Sequence, residues 1–239
     1  MANKFYNNLV SHWKMNDDLA TTAVLDSKGS NDGTLEGGNN TEDISVEGKI
    51  NKALDFQGAD SEYISVPADV SFTNLNIGSI SLWINTDTID MKFAFGYGTS
   101  SSNYFRLDVD GDNKIKFFAE EGNVEKINIQ SDNNITTGTW YHVVITQDGS
   151  NAQMYINGVA QDHSGQTNFG TWFNDITSGS FYIGYRLAWA GYAFNGKIDD
   201  VRIYNTALSA YYVKLLYNNG AGTEDENIQS NTLLLGCNF

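Results

Sequence analysis

The chain has 239 residues, of which 41% are hydrophobic and 18% are charged, and its formal net charge is −15. This hydrophobic fraction is enough for a large core and excludes a wholly disordered chain, and no apolar run reaches the roughly 18 residues of a membrane span. The chain contains 14 Lys and Arg but 29 Asp and Glu. We therefore expect neither nucleic acid nor an anionic membrane as a partner, whereas cation binding is compatible with the composition.

The start of the chain and its cysteine content add two expectations. The first residues contain no apolar run followed by a small-residue cleavage site, so no secretory signal is visible. One cysteine, Cys237, cannot form an internal disulfide, so we expect the core to hold without one.

Short alternating runs dominate the chain. Apolar and polar residues alternate, between flanking Gly, Asn, Asp or Ser, in residues 80–85, 104–109, 114–118 and 124–129. Residues 139–146 have apolar side chains at both odd and even positions, which predicts a central strand covered on both faces. Asp110-Gly111 and Asn157-Gly158 supply the positive φ of tight hairpin turns. Because such runs recur from residue 9 to 204, the sequence predicts an all-β fold, an antiparallel jelly-roll sandwich.

The C-terminal part of the chain departs from this pattern. Residues 207–217 place their apolar side chains at helical spacing, and Asn218-Asn219-Gly220 is a plausible stop, which predicts one short helix. We therefore predict a single domain over residues 1–219, followed by an acidic linker and a strand-like tail over 220–239. The tail is either an edge strand of the same sandwich or the first strand of a further domain, and it allows self-association.

Six segments in order carry a resemblance to a known family; they are residues 8–15, 26–35, 48–58, 139–144, 154–158 and 194–209. Their order and spacing resemble the laminin G-like jelly rolls of the concanavalin A-like lectin/glucanase superfamily, over about residues 8–217. The resemblance implies a concanavalin A-like β-sandwich. It says less about function, because this fold serves lectins, adhesion modules, glycanases and virion proteins.

Two acidic positions suggest a metal site. Strand alternation places Asp199 on the face of Val201 and Ile203, and Asp200 on the opposite face. A carboxylate in a core-facing row is costly unless it is paired or bound to a cation. Members of the resembled superfamily often carry a structural calcium between an early loop and an Asp on a late strand, which implies a Ca²⁺ site formed by Asp26, Asn31 and Asp199. The alternative is that Asp26 caps a turn and Asp199 pairs with a lysine.

Aromatic side chains in two loops suggest a sugar-binding surface. Sugar sites combine polar groups with aromatic faces, and rings in loops expose apolar surface unless they are covered or used. The stretches 187–194 and 169–175 fit this description, and we assign carbohydrate contacts to Trp189, Tyr192 and Trp172. The alternative is that these rings fold back over the ends of the core.

No catalytic motif is apparent in the sequence. Glycanases of the resembled superfamily usually carry Glu-x-Asp-x-x-Glu on one strand, as a paired-carboxylate mechanism requires, and this sequence contains no such strand. We therefore expect a non-catalytic recognition module, lectin-like and calcium-stabilised, with a glycan or a cell-surface protein as partner. A virion-associated structural or adhesion protein is the alternative, and a glycan-cleaving enzyme is a third.

Overall fold

The computed structural model describes residues 7–67, 70–176, 179–185 and 190–224. In chain order its strands are β1 Leu9–Trp13, β2 Ala23–Val24, β3 Gly33–Leu35, β4 Ser45–Glu47, β5 Lys52–Gln57, β6 Ile64–Val66, β7 Gly78–Thr86, β8 Lys92–Ser100, β9 Asn103–Val109, β10 Ile115–Glu121, β11 Val124–Gln130, β12 Tyr141–Gln147, β13 Ala152–Ile156, β14 Val159–Ala160, β15 Thr167–Asn168, β16 Ser180–Ile183 and β17 Asn195–Tyr204. The helices are α1 Thr41–Ile44, α2 Val70–Thr73 and α3 Ala210–Tyr217, with single 3₁₀ turns at Phe173–Asp175 and Asn218–Gly220.

The strands form two antiparallel sheets. The first sheet has the order β14-β13-β12-β7-β17-β5-β4, and β1 pairs with the C-terminal half of β17. The second sheet has the order β15-β11-β10-β9-β8-β16-β6-β3-β2. Because consecutive strands often lie in different sheets, the connections cross between the layers as in a jelly roll. The predicted all-β sandwich is confirmed.

The main core lies between the two sheets and is rich in aromatic residues. Strand alternation sends one row of each strand inward, for example Ile80, Leu82 and Ile84 of β7 and Phe105 and Leu107 of β9. Asn157-Gly158 joins β13 to β14 with the predicted positive φ, at 51° and 79°. A turn also joins β9 to β10, but its positive φ is at Asn113 (64°) and not at Asp110-Gly111 as predicted. β12 lies between β13 and β7 and is buried along its length, as its two-sided apolar pattern predicts.

Helix α3 covers the outer face of the first sheet. Its Val213 and Leu216 pack with Tyr204 and Val144 in a second apolar cluster outside the main core. The sequence predicts this helix correctly, although α3 begins at Ala210 rather than at 207. The sequence pattern does not predict the one-turn helices α1 and α2. No helix in the described part of the chain is both long and apolar enough to cross a membrane.

Residues 218–224, which we name the strap, continue from α3 across the same outer face. Gly222 is buried beside Ile50 and Trp83, and the Thr223 carbonyl accepts a hydrogen bond from Arg202. The predicted linker begins at residue 220. Its described portion, residues 220–224, is packed on the sandwich through these contacts. The contacts of the domain extend at least to Glu224, whereas the predicted tail lies outside the described residues.

Candidate functional site

Asp26 lies at the centre of a tight polar loop. One carboxylate oxygen accepts hydrogen bonds from the amides of His12 (2.9 Å), Lys28 (3.1 Å) and Gly29 (2.9 Å). The other oxygen accepts the Asn31 amide at 3.2 Å. Burial by itself would raise the pKa of Asp26, but these backbone hydrogen bonds outweigh it and hold the pKa below its usual value.

Asn31 lies beside Asp26, as predicted, but its backbone carbonyl oxygen already accepts a hydrogen bond. The backbone carbonyl of Asn31 accepts a hydrogen bond from the Trp13 indole at 2.8 Å, and its side-chain amide donates to the Ser11 hydroxyl at 2.9 Å. The loop is therefore tied to β1 through Asp26 and Asn31 together.

Asp199 lies on the opposite face of β17 from the one predicted. Asp199 pairs with Trp83 and Arg202 pairs with Ser81, so β17 holds one extra residue, and Asp200 adopts a φ of 51°. This β-bulge breaks the alternation. As a result Ile198 and Val201 both face the core, and Asp199 and Asp200 both lie on the outer face beneath α3 and the strap.

The environment of Asp199 favours the neutral acid. One oxygen accepts the amides of Lys49 and Ile50, both at 2.8 Å, and the other has no hydrogen-bond partner within the described residues. Burial raises the pKa of Asp199 to about 8, and the neighbouring Asp200 and Glu224 charges add to the effect.

The three predicted ligands do not fit a calcium site. The carboxylates of Asp26 and Asp199 share no partner, and the Asp26 and Asn31 oxygens face N–H donors. Calcium needs six to eight converging oxygen atoms. Among the residues that the structure describes, no three His, Cys, Asp or Glu side chains are grouped to hold a metal ion. Four backbone amides already satisfy the Asp26 carboxylate.

Trp172 is fully buried, so the prediction that it contacts a sugar is wrong. Its ring stacks on Phe105 with centroids 5.5 Å apart and an interplanar angle of 8°, and it meets Phe173 edge-on at 5.3 Å. Loop residues near the end of a sandwich can close its core, which is the alternative that the sequence left open. Trp172 is therefore a core residue.

In the other predicted stretch the structure describes residues 190–194, where Tyr192 lies at the outer face of the second sheet and Phe194 is in the main core. Tyr192 is half-buried and stacks on Phe93 with centroids 5.4 Å apart, and its carbonyl accepts the Phe93 amide at 2.9 Å. Trp189 lies outside the described residues, so its predicted role stays a prediction.

Three tyrosines that the sequence pattern does not single out form a cluster on this same outer face, which we name the tyrosine patch. Tyr63 and Tyr185 stack with centroids 4.9 Å apart and an interplanar angle of 19°. Tyr182 meets Tyr63 edge-on at 5.5 Å and Tyr185 at 6.3 Å. All three rings are half-buried. Alternation in β16, where Phe181 and Ile183 face the core, could have shown that Tyr182 points outward.

Polar groups border the tyrosine patch. Ser65, on the neighbouring strand β6, donates to Glu36 at 2.7 Å. The pKa of Tyr63 is raised by burial first and then by the Glu36 carboxylate and the two other tyrosine hydroxyls. The hydroxyl of Tyr63 therefore lies in the field of a carboxylate, and the patch offers aromatic faces together with hydrogen-bonding groups.

A second cluster on this face surrounds Arg106 and is named the arginine cluster. The guanidinium lies 4.8 Å from the Phe118 ring centre, 5.1 Å from that of Phe93 and 5.8 Å from that of Tyr104. It donates to Asp108 at 3.3 Å and to the Tyr104 hydroxyl at 3.2 Å. Asp108 is fully buried, which raises its pKa to about 6 even though Arg106 opposes the shift.

The two clusters are neighbours across strand β8. Gly96 pairs with Arg106 on one side and with Tyr182 on the other. Opposite residues of antiparallel strands project from the same face, and strands lie about 4.8 Å apart. Arg106 and Tyr182 are therefore about 10 Å apart across the sheet, with no side chain on the residue between them.

Two packed antiparallel sheets with jelly-roll connections and an aromatic outer face define this protein as a jelly-roll β-sandwich domain. The family model described as the concanavalin A-like lectin/glucanases superfamily matches residues 57–214, which is more than half of the chain. The chain belongs to this superfamily. Comparison with curated protein sequences found no match.

Solved structures share the fold at low sequence identity. Domain 4 of an extracellular arabinanase from Geobacillus stearothermophilus, in complex with arabinotriose, is 23% identical with a TM-score of 0.64, covering 87% of this chain and 97% of that one. The binding domain of Paraclostridial mosquitocidal protein 1 is 18% identical with a TM-score of 0.64, covering 91% and 53%. Trypanosoma rangeli sialidase in complex with sialic acid is 16% identical with a TM-score of 0.64, covering 91% and 34%. Two of the three hold a carbohydrate.

Proposed function

We propose that the chain is a non-catalytic carbohydrate-recognition module that binds glycans on the outer face of its second sheet. The observation that carries this proposal is the tyrosine patch, in which Tyr63, Tyr182 and Tyr185 are half-exposed and pack on one another. Rings held in this way lose little conformational entropy when a ligand stacks on them, because their neighbours already restrict them.

The surroundings of the patch support the same proposal. Ligand sites combine apolar surface with a few placed polar groups, and here the tyrosine hydroxyls, Ser65 and Glu36 supply those groups. The segment that contains Trp189 begins directly after Tyr185 and ends close to Tyr192. The sugar contact predicted for Tyr192, which stacks on Phe93, would extend the aromatic surface of this face. Trp189 lies outside the described residues, and its sugar contact stays a prediction.

The non-catalytic part of the proposal rests on the carboxylates of this face. Glu36 accepts the Ser65 hydroxyl, and Asp108 is buried against Arg106. Most glycoside hydrolases use two carboxyl groups placed on opposite sides of one bond, whereas Glu36 accepts a hydroxyl at the edge of the patch and Asp108 is buried beside a guanidinium.

The proposal is tested by measuring glycan binding to wild-type protein and to the Tyr182→Ala variant. A panel of neutral oligosaccharides that includes arabinotriose is screened on an array, and the best ligand is titrated by calorimetry. We expect Tyr182→Ala to weaken binding about 10-fold or more, since removing one stacked ring costs roughly 1.4 kcal/mol. Tyr182→Phe keeps the ring and should retain most of the affinity.

Tyr211→Ala is the matched control, because Tyr211 is an exposed tyrosine of α3 on the other sheet. Its substitution should leave binding unchanged. Binding that survives Tyr182→Ala in a folded protein would remove the patch from the site. Release of reducing sugar from the bound oligosaccharide would overturn the non-catalytic assignment.

A further inference from the structure

A cleft beside the C-terminal end of β1 exposes two leucines, and we name it the leucine cleft. It has a volume of about 350 Å³, and its lining includes Lys14, Asn16, Leu19, Leu25 and Ser27. Leu19 is 61% exposed and Leu25 is 53% exposed. Exposed apolar side chains gain free energy when another apolar group covers them. Two such side chains in one concave site therefore favour an apolar occupant.

Hydrogen bonds hold the backbone of both leucines in place. The Leu19 amide donates to the Thr41 hydroxyl at 3.2 Å, and the same hydroxyl donates to the Leu19 carbonyl at 3.0 Å. The Leu25 amide donates to the Asp17 carboxylate at 3.2 Å. The walls of the cleft are therefore preorganised, which lowers the entropy that an occupant must lose on binding.

The strap leads the chain to the leucine cleft. Its last residue, Glu224, accepts the Asn16 side-chain amide at 2.8 Å and lies 3.7 Å from the Lys14 ammonium, and both partners line the cleft. Residues 225–239, which we name the C-terminal segment, continue from this point. Residues 1–6 precede β1 and join the fold at the opposite end of that strand.

The composition of the C-terminal segment suits an apolar site. Residues 227–239 contain no charged side chain, and residues 233–235 are three consecutive leucines. Such a stretch can enter the cleft without burying a charge. An extended chain covers about 3.3 Å per residue, so the residues between Glu224 and the leucines span up to about 30 Å. The leucines can therefore reach the whole of a cleft that begins at the partners of Glu224.

We propose that the leucine cleft is a docking site for the C-terminal segment of the same chain, and that residues 233–235 cover Leu19 and Leu25. The segment is thus an internal partner of the domain, joined to it through the strap. This inference goes beyond the proposed function and does not rest on it, because the cleft shares no residue with the tyrosine patch.

Disulfide formation in the full-length chain tests the docking. Cys237 is the only cysteine of the chain, so one introduced cysteine allows a single internal disulfide. Ser27→Cys places a thiol in the lining of the cleft and leaves both leucines intact. The reduced protein is oxidised at low micromolar concentration, and the linked monomer is followed by non-reducing electrophoresis.

Glu47→Cys is the matched control. Glu47 is an exposed residue of β4, and the adjoining turn contains Asn51, which binds Glu224 as Asn16 does. A C-terminal segment that does not dock would therefore reach both introduced cysteines. Docking raises the effective concentration of Cys237 at the cleft alone, so we expect the internal disulfide to form about 10-fold faster in Ser27→Cys than in Glu47→Cys.

A second pair of substitutions removes the apolar walls. Leu19→Ser and Leu25→Ser, both added to Ser27→Cys, should slow disulfide formation about 10-fold, because the leucines of the segment lose their contacts. Both side chains are exposed, so the sandwich should still fold, and circular dichroism verifies this.

Three outcomes would overturn the inference. Equal rates for Ser27→Cys and Glu47→Cys, or no slowing by the serine substitutions, would mean that the segment does not dock in the cleft. Dimers linked between the introduced cysteine and Cys237 would assign the cleft to the C-terminal segment of a second copy. Each of these results would leave the proposed glycan binding untouched.

Discussion

At the scale of single residues, Asp199 and Asp200 are adjacent, lie on the same face of β17 and are both buried, yet their environments differ. Asp200 contacts the His12 ring at 2.7 Å and the Arg202 guanidinium at 2.9 Å. Burial would raise the pKa of Asp200, but the charge of Arg202 and the His12 hydrogen bond hold it below its usual value. Asp199 has no cationic partner within the described residues, and its pKa is raised to about 8.

Asparagine substitutions should therefore have opposite effects at these two positions. A carboxyl that is neutral in the folded protein but ionised in the unfolded chain costs stability as pH rises from its unfolded pKa to its folded pKa. Asp199→Asn should leave the free energy of unfolding nearly unchanged at pH 4 and raise it by about 2 to 4 kcal/mol at pH 8. Asp200→Asn should lower it by about 3 to 5 kcal/mol at pH 7, because Arg202 loses its buried partner.

Denaturant unfolding of the two variants and the wild type between pH 4 and pH 8 measures both effects. If Asp199→Asn destabilised the protein at pH 8, Asp199 would be ionised in the folded state. A neutral carboxyl at this position would then be excluded, and a cation bound to Asp199 would become the explanation for its buried charge.

At the scale of elements, the bulge in β17 decides what the outer face of the first sheet contains. The C-terminal half of β17 pairs with β1 and the N-terminal half with β5, and the extra residue lies between the two halves. Aspartate tolerates the left-handed conformation better than most residues, which suits Asp200 to this position. Without the bulge, Asp199 would enter the core.

The Asp26 loop is the second element whose stability depends on one carboxylate. Asp26→Asn should lower the free energy of unfolding at pH 7 by about 2 to 4 kcal/mol, because an amide cannot accept four N–H groups as the carboxylate does. Since the pKa of Asp26 is lowered in the folded protein, this contribution is present above the unfolded pKa of about 3.9 and is lost as pH falls through the folded value.

Asp32→Asn is the comparison variant, since Asp32 accepts the Asp26 amide with one oxygen at 2.8 Å. It should cost about 1 kcal/mol. Thermal melting in 5 mM CaCl₂ and in EDTA should give the same midpoint for wild-type protein. A midpoint that rises with calcium concentration would show a cation bound to the native state, and hydrogen bonds alone would then not explain the stability of the Asp26 loop.

At the scale of the whole molecule, the strap joins parts of the fold that are distant in sequence. The Glu224 carboxylate accepts hydrogen bonds from Asn16 at 2.8 Å and Asn51 at 2.9 Å, and it lies 3.7 Å from the Lys14 ammonium. Below it, Trp83 is 1% exposed and stacks against Tyr217. Glu224 therefore packs against the sandwich, and the domain boundary at 219 stays a prediction.

Two truncated chains test this boundary. A chain that ends at residue 219 should melt roughly 5 to 10 °C below one that ends at residue 224, because Arg202 loses the Thr223 carbonyl and Trp83 loses its cover. Its tryptophan emission should also move to longer wavelength. Equal melting temperatures for the two chains would mean that residues 220–224 contribute nothing to the stability of the domain.

Much of this fold follows from the sequence alone because strand formation leaves a local, period-two signal. The strands over residues 80–85 and 104–109, the Asn157-Gly158 turn and the helix before Asn218 all follow from such short-range patterns, and the six ordered segments indicate the superfamily. The i, i+2 spacing of Arg106 and Asp108 on β9 also places them on one face by alternation.

Only the tertiary structure decided which side chains share a site. The tyrosine patch joins residue 63 to residues 182 and 185 through the pairing of β6 with β16, and no local pattern encodes that register. The burial of Trp172 depends on Phe105 from another strand, and the face of Asp199 depends on one extra residue in β17. Alternation is a property of neighbours in the chain, whereas burial, register and charge compensation arise only when distant strands pack together.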